Sequence, residues 1–315
     1  MNGPEIVESN RTGGQHLRAV LQALLVTFLW STSWILIKIG LDELAIAPLS
    51  FAGLRYALAA AILLPFGIRA LGRRQGAAID GRLVIRVAIY GLLFVAVAQG
   101  AQFAALAVLP ATAVSLILSS IPMWVALVAL GGRAERATIG QAAGIGLLTI
   151  GAVLYFGPFQ IQPDAALGFA AAAVCAAAAT VSSHLGRHLA RDAIGRLGGP
   201  VGLTAWSMAA GAVALLAVGL VIEGWPSLGI DGWLIIGWLA VVNTAFAFTL
   251  WNHTLRTLTA VESSVVNNTM TVQIAVLAIV FLGERLGPLQ LVGLLLAAAG
   301  AAIVQIAPLL RRRSA

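Results

Sequence analysis

Ten predominantly apolar stretches run along this chain, at about 18–39, 47–70, 82–104, 109–130, 138–157, 165–190, 199–222, 231–256, 260–281 and 287–308. Each is long enough to cross a bilayer core, which takes about 20 apolar residues of helix. Lipid offers a bare backbone no hydrogen-bond partner, so spans must be helices or closed barrels. Barrel strands would read as alternating segments of about ten residues, and these runs do not alternate. Only 10% of the residues are charged, against about 25% in soluble domains. The expected fold is an all-α integral membrane protein. Its breaks fall where turn-formers and charges cluster, as at Gly72–Arg74, Gly131–Arg136, Gly195–Pro200 and Gly283–Pro288.

A formal net charge of +7 could suggest nucleic acid or anionic lipid, but its distribution decides otherwise. With the N-terminus inside, all but Lys38, Arg55 and Arg285 of the 19 Lys and Arg fall on cytoplasmic segments. That is the positive-inside bias. It predicts both termini in the cytoplasm of a bacterial-type inner membrane, and no nucleic-acid partner. The first run follows a polar start and lacks a convincing cleavage site, so it reads as span one rather than a secretory signal. Cys175, the only cysteine, lies in an Ala-rich apolar run and reads as a buried packing residue.

"FLGERLGPLQLVG" (Phe281–Gly293) and "GGRAERATIGQAAG" (Gly131–Gly144) share a charged pair. Sliding the chain by 149 positions, the difference between 284 and 135, lays Glu135 on Glu284 and Arg136 on Arg285. The same offset pairs Ser115 with Ser264, Gln141 with Gln290, Gly144 with Gly293 and Gly151 with Gly300. Such internal repeats constrain the fold. Five spans per copy is odd, so the second copy crosses in the opposite sense. Inverted repeats of this kind are a mark of secondary transporters. The expected organisation is a cytoplasmic tail (1–17), a first five-helix repeat (18–157), a second, inverted one (165–308) and a basic cytoplasmic tail (309–315). Glu135–Arg136 and Glu284–Arg285 then mark equivalent turns on opposite faces, where they cap helix ends or form a gate that alternates between faces.

These residues resemble a known family. "ESSVVNNTMTVQIAVLAIVFLGERLGPLQLVGLLLAAAGAAIV" (Glu262–Val304) is similar to the last two spans of EamA-type members of the drug/metabolite transporter superfamily. "LWSTSWILIKIGL" (Leu29–Leu41) and "PLSFAGLRYALAAAILL" (Pro48–Leu64) support the match, whereas "GGRAER" departs from the family's "GER" turn. The resemblance implies ten helices in two inverted halves around a central cavity. It implies transport of small organic metabolites, often outward, with amino-acid exporters prominent.

Polar residues at lipid depth must face a partner or a wet cavity. They concentrate in spans one, three, four, six, eight and nine, which are expected to line the cavity. Spans two, five, seven and ten are plainer and Gly-rich, and read as outer support. Candidate substrate-binding residues are Trp34, Gln99, Gln102, Phe103, Ser119, Trp124, His184, Asn243, Trp251, Asn252, Asn267 and Asn268. An amide has four hydrogen-bonding sites, more than its own helix supplies, and Trp34 or Trp251 could stack on a flat substrate. Any single Ser or Thr is more readily satisfied by its own helix backbone. His184 and His253 are candidates for a proton relay or simply interfacial histidines. Lys38, the only lysine, and Arg55 break the positive-inside pattern and are expected at the outer vestibule, as a gate, an attraction point for a substrate carboxylate, or snorkelling side chains. Pro110 and Pro122 are candidate hinges.

None of the 12 acidic residues falls at mid-span. Exchange of a cationic drug for a proton commonly uses a buried carboxylate, so the expected substrate is neutral or zwitterionic. Amino acids, including bulky or aromatic ones, come first; nucleobases, nucleosides or drugs are the alternative, and a channel a distant one. No catalytic set, metal-ligand spacing or cofactor is expected, so the chain does not read as an enzyme. The oligomeric state stays open, with a monomer plausible.

Overall fold

A computed structural model describes residues 4–72, 79–131, 139–157, 163–192, 195–255 and 257–311. Glu135 and Arg136 lie outside the described residues. Ten helical rods are long and apolar enough to cross a membrane. They are α1 (Pro4–Asp42), α2 (Pro48–Leu71), α3 (Gly81–Val108), α4 (in two pieces, Ala111–Leu118 and Ile121–Gly131) and α5 (Ile139–Phe156), then α6 (Pro163–Asp192), α7 (Pro200–Glu223), α8 (Ile230–Thr254), α9 (Ala260–Phe281) and α10 (Pro288–Arg311). Proline opens α2, α6, α7 and α10, where its fixed φ suits the helix and its missing N–H costs nothing. Three rods stop at left-handed glycines, Gly157, Gly224 and Gly283, with φ between 62° and 78°.

Two boundaries differ from the sequence reading. Helix α1 starts at Pro4 rather than near residue 18, again with proline in the first position. The fourth span is broken at Ser119–Ser120. Pro122 has no N–H to give the Leu118 carbonyl, so the helix ends at Leu118 and restarts at Ile121.

The rods form one helical bundle. Around its centre, α3 packs on α6, α6 on α4, α4 on α9, α9 on α1 and α1 on α8. Two tight pairs flank this ring: α2 with α7, and α5 with α10. The α2–α7 pair backs the seam between α3 and α8, with α7 against α3 and α2 against α8. In the other pair the backbones touch: a Cβ on Gly151 would stand 2.4 Å from the Ala297 nitrogen, and one on Gly300 2.4 Å from the Leu148 nitrogen. Small residues permit that approach in lipid.

The repeat shows in the backbone itself. Helix α3 carries a π-helical segment at Leu92–Val97 and α8 one at Val241–Phe246. The two are 149 positions apart at both ends. Their sequences, LLFVAV and VVNTAF, match poorly, so the shared geometry is independent support for two copies of one unit.

The bundle has a basic end, where α2, α6 and α8 stop and α3, α7 and α9 start, with Arg69, Arg82, Arg86, Arg191 and Arg196, and a far end holding Asp42, Glu223 and Glu284. The largest apolar cluster is densest in the far half, where Ile37, Phe51, Phe103, Leu106, Ile236 and Leu239 are fully buried, and it extends past mid-bundle to Leu63 on α2 and Met208 on α7. Trp34 belongs to this cluster and is 7% exposed.

Candidate functional site

In the basic half, a cavity of about 200 Å³ lies between α1, α3, α7 and α8. Trp30, Tyr90, Phe94 and Phe248 give it aromatic walls, and Thr204, Ser207, Trp251 and Asn252 add polar groups. Trp30 rests on Phe248 and Trp251 with ring centroids 5.2 and 5.3 Å apart. Tyr90 and Phe94 stack at 5.6 Å, four residues apart on one face of α3. The Trp30 indole N–H is buried and, among the described residues, donates to nothing.

Below the cavity, towards the far end, lies a polar layer built by the π segment of α8. A π turn frees a carbonyl, and here the Thr244 hydroxyl donates to the Leu239 oxygen at 2.8 Å. The Asn243 amide donates to the Leu29 carbonyl and, at 3.2 Å, to Thr32 Oγ1. Its Oδ1 is buried and unpartnered among the described residues. Thr244 Oγ1 also accepts from Arg55 Nε at 3.1 Å. Arg55 is 4% exposed, its guanidinium carbon 5.0 Å from the Tyr56 ring centroid and 5.9 Å from that of Phe103. Tyr56 in turn donates to Gln99 Oε1 at 2.7 Å. Arg55 is thus buried among α2, α3 and α8, not at an open vestibule as expected from its side of the membrane.

Two carboxylates seal helix ends at the far end. Glu284 accepts from the Ala111 and Thr112 nitrogens at 2.6 and 3.3 Å and from the Thr112 hydroxyl at 2.6 Å, so the turn of the second copy caps α4 of the first. Glu223 does the same for α2, accepting from Leu49 and Ser50 nitrogens at 3.0 and 2.7 Å. Negative charge suits a helix N-terminus. Lys38 reaches Asp42 at 3.0 Å and donates to the Leu106 carbonyl at 2.8 Å. At the basic end, Asp80 caps α3, accepting from Leu83 N at 2.8 Å, and pairs with Arg196 at 3.4 Å. The Leu83 N–H first, then Arg196, hold the Asp80 carboxyl below its usual range.

Of the residues picked from sequence, Trp251 and Asn252 line the cavity, and Asn243, Gln99 and Phe103 belong to the layer beneath it. Gln102 is buried on α3. Ser119 sits at the break in α4, where its hydroxyl returns to the Leu116 carbonyl. Pro122 opens the second piece of α4, and Pro110 caps the first. Trp124 and Asn267 are exposed, and Asn268 accepts from Gln305 on α10 at 3.2 Å. His184 meets Arg187 at 2.9 Å near the basic end of α6, and Arg285 is exposed. Sequence reasoning passed over Tyr90 and Phe94 on α3, because it searched that span for polar side chains, and over Thr204 and Ser207, because it set α7 outside the ring. Thr204 and Ser207, three apart on one helix face, were the available signal. The described acidic residues all sit at helix ends, and no cluster of metal-ligating side chains occurs among the described residues.

The EamA-like transporter family matches the chain twice, over residues 17–157 and 165–306. A probable terminal-alkyne amino-acid exporter of Streptantibioticus cattleyicolor is 27% identical over 300 residues, covering 95% of this chain and 97% of that one. A solved crystal structure with 22% identity superposes with a TM-score of 0.64, covering 94% of this chain and 98% of the other, which speaks for the fold alone.

Proposed function

Because the chain belongs to the EamA-like transporter family, we propose that it is a secondary transporter exporting a small zwitterionic metabolite, most plainly an amino acid, across a bacterial-type inner membrane. The basic end faces the cytoplasm, both termini with it. The observation that carries this reading is the asymmetry of the bundle. A half-open aromatic and polar cavity lies in the basic half, while the far half is packed and capped by Glu223 and Glu284. That is the arrangement a carrier has when loaded from the cytoplasm, and alternating access reverses it.

The cavity favours a small cargo. Its volume of about 200 Å³ is below the roughly 300–1,000 Å³ of drug-sized pockets. Trp30 supplies an unspent donor at the cavity and Asn243 an unspent acceptor in the layer beneath it, which suit a carboxylate and an ammonium. The absence of a mid-span carboxylate among the described residues argues against exchange of a cationic drug for a proton. The named relative is a probable terminal-alkyne amino-acid exporter, in line with this class of cargo.

Uptake of labelled phenylalanine into proteoliposomes, with and without a pH gradient and with unlabelled amino acid trapped inside, tests the reading. Uptake stimulated by trapped amino acid is expected of a carrier. Uptake indifferent to it indicates a channel, and no uptake of any amino acid removes the proposed cargo.

A further inference from the structure

Arg55 poses a physical problem that the cavity does not solve. A cation at lipid depth costs several kcal/mol, and burial is tolerated when the charge is paired. Lys38 has Asp42 and Arg196 has Asp80, yet among the described residues no carboxylate pairs with Arg55. A guanidinium carries five N–H donors, and Arg55 spends one, from Nε to Thr244. Among the described residues its terminal nitrogens make no hydrogen bond, and the residue as a whole is only 4% exposed. The faces of Tyr56 and Phe103 steady the charge without using its donors. If the task were only to staple α2 to α8 with one hydrogen bond, a neutral amide would do it at far less cost.

The position of Arg55 adds a second argument. The 149-residue offset lays Arg55 on Thr204, and Thr244 on Val95. Thr204 lines the open cavity on the α7 side of the α3–α8 seam. Arg55 therefore occupies the matching place in the far half, where the seam is shut. Along that seam from the cavity towards the far end, the buried Asn243–Thr244 layer comes first and the Arg55 guanidinium sits against it.

From this geometry we infer that Arg55 is the carboxylate-binding residue of the transport path. When the seam opens in the far half, the substrate carboxylate replaces Thr244 and takes the paired donors of the guanidinium. A planar fork matched to a carboxylate is what arginine supplies and lysine does not. The inference rests on the reading of the chain as a carrier of zwitterions, and narrows it: cargo must carry a carboxylate, and the matching amide or amine is refused.

The test is equilibrium binding to the purified full-length protein, comparing phenylalanine with phenylalaninamide, and 3-phenylpropionate with its amide. Wild type, Arg55→Gln and Arg55→Lys are measured side by side. Wild type is expected to prefer each acid over its amide by roughly ten- to a hundredfold, the worth of charge-assisted hydrogen bonds. Arg55→Gln closes that gap, while Arg55→Lys keeps part of it. A variant damaged only in folding binds acid and amide worse by the same factor, so an unchanged ratio in Arg55→Gln overturns the inference. So does a wild type that binds no acid in preference to its amide. Arg55-dependent binding of 3-phenylpropionate with no binding of phenylalanine supports the site and instead overturns the amino-acid reading.

Discussion

The middle of α3 and the middle of α8 take the same detour. Each winds through six π-helical residues at corresponding places in its copy of the repeat. Yet the α8 detour holds Asn243 and Thr244, which reach α1 and α2, where the α3 detour offers Phe94 and Val95. Around the polar detour the bundle is shut, and beside the apolar one lies the cavity. Duplication preserved the backbone path, and side-chain chemistry then assigned a different task to each copy. A π segment leaves a local carbonyl in need of a partner and lets the helix re-register there. Two such points, related by the repeat, are suited to be the places where α3 and α8 bend under the alternating access proposed above.

Substitutions at the two detours break or sharpen this comparison, and the buried Cys175 thiol allows melting to be read with a thiol-reactive dye. The largest effect is expected from Thr244→Val. It keeps the shape but strips the buried Arg55 of its acceptor and removes the hydroxyl's bond to the Leu239 carbonyl, and should destabilise by about 3 kcal/mol, since orphaned buried polar groups cost about 1–3 kcal/mol and charged ones more. Val95→Thr, its counterpart, should change melting by under about 1 kcal/mol, because a helical threonine bonds its own backbone. Equal effects at the two sites would end the distinction drawn between the copies.

Asn243→Leu comes next. It removes the two donations to α1, and should cost about 1–2 kcal/mol while loosening the layer between cavity and Arg55. Faster leak of substrate through proteoliposomes is the readout that ties this residue to closure; melting alone would make it a packing residue.

Pro122→Ala addresses a second difference between the copies. Helix α4 is broken where α9, with Thr271 at the corresponding place, runs straight. Alanine restores an N–H and a strong helix former, so stability should move by under about 1 kcal/mol. Transport should slow by more than protein amount falls, as measured by uptake per mole of folded carrier. Parallel losses would make the break structural.

The smallest effect belongs to the helix starts. Asp80 caps α3, whereas α8 begins after Gly229 with no side-chain cap. The folded-state carboxyl of Asp80 titrates below its unfolded value. Its contribution is therefore present above the usual carboxylate range and lost as pH falls through it. A slightly steeper loss of melting temperature below about pH 4, abolished by Asp80→Ala, is the expected record.

The spans, their breaks and the repeat were legible because each rests on local chemistry: apolar length, proline and glycine, and two charged pairs 149 positions apart. Arg55 was legible as an anomaly in charge but not in place. Positive-inside counting says on which side of the midplane a residue falls, not whether its side chain meets water or a neighbouring helix. The role of α7 was hidden for the same reason. A helix in the outer pair still lines the cavity where the ring in front of it parts, and nothing within α7 reports how far apart α3 and α8 stand. The π segments left no trace, since LLFVAV would serve equally well in a regular helix.

The opposite crossing of the two copies also has a consequence for their divergence. A turn of the first copy and its counterpart in the second meet opposite faces of the bilayer, and insertion tolerates basic residues on one of them far better than on the other. Arg74 and Arg82, around the α2–α3 turn, correspond to Glu223 and Asp231 around the α7–α8 turn. A mutation that suits one turn is selected against in its twin. At such unbalanced turns identity between the copies is therefore erased, whereas the Glu–Arg turns, Glu135–Arg136 and Glu284–Arg285, whose two charges cancel, keep it on either face.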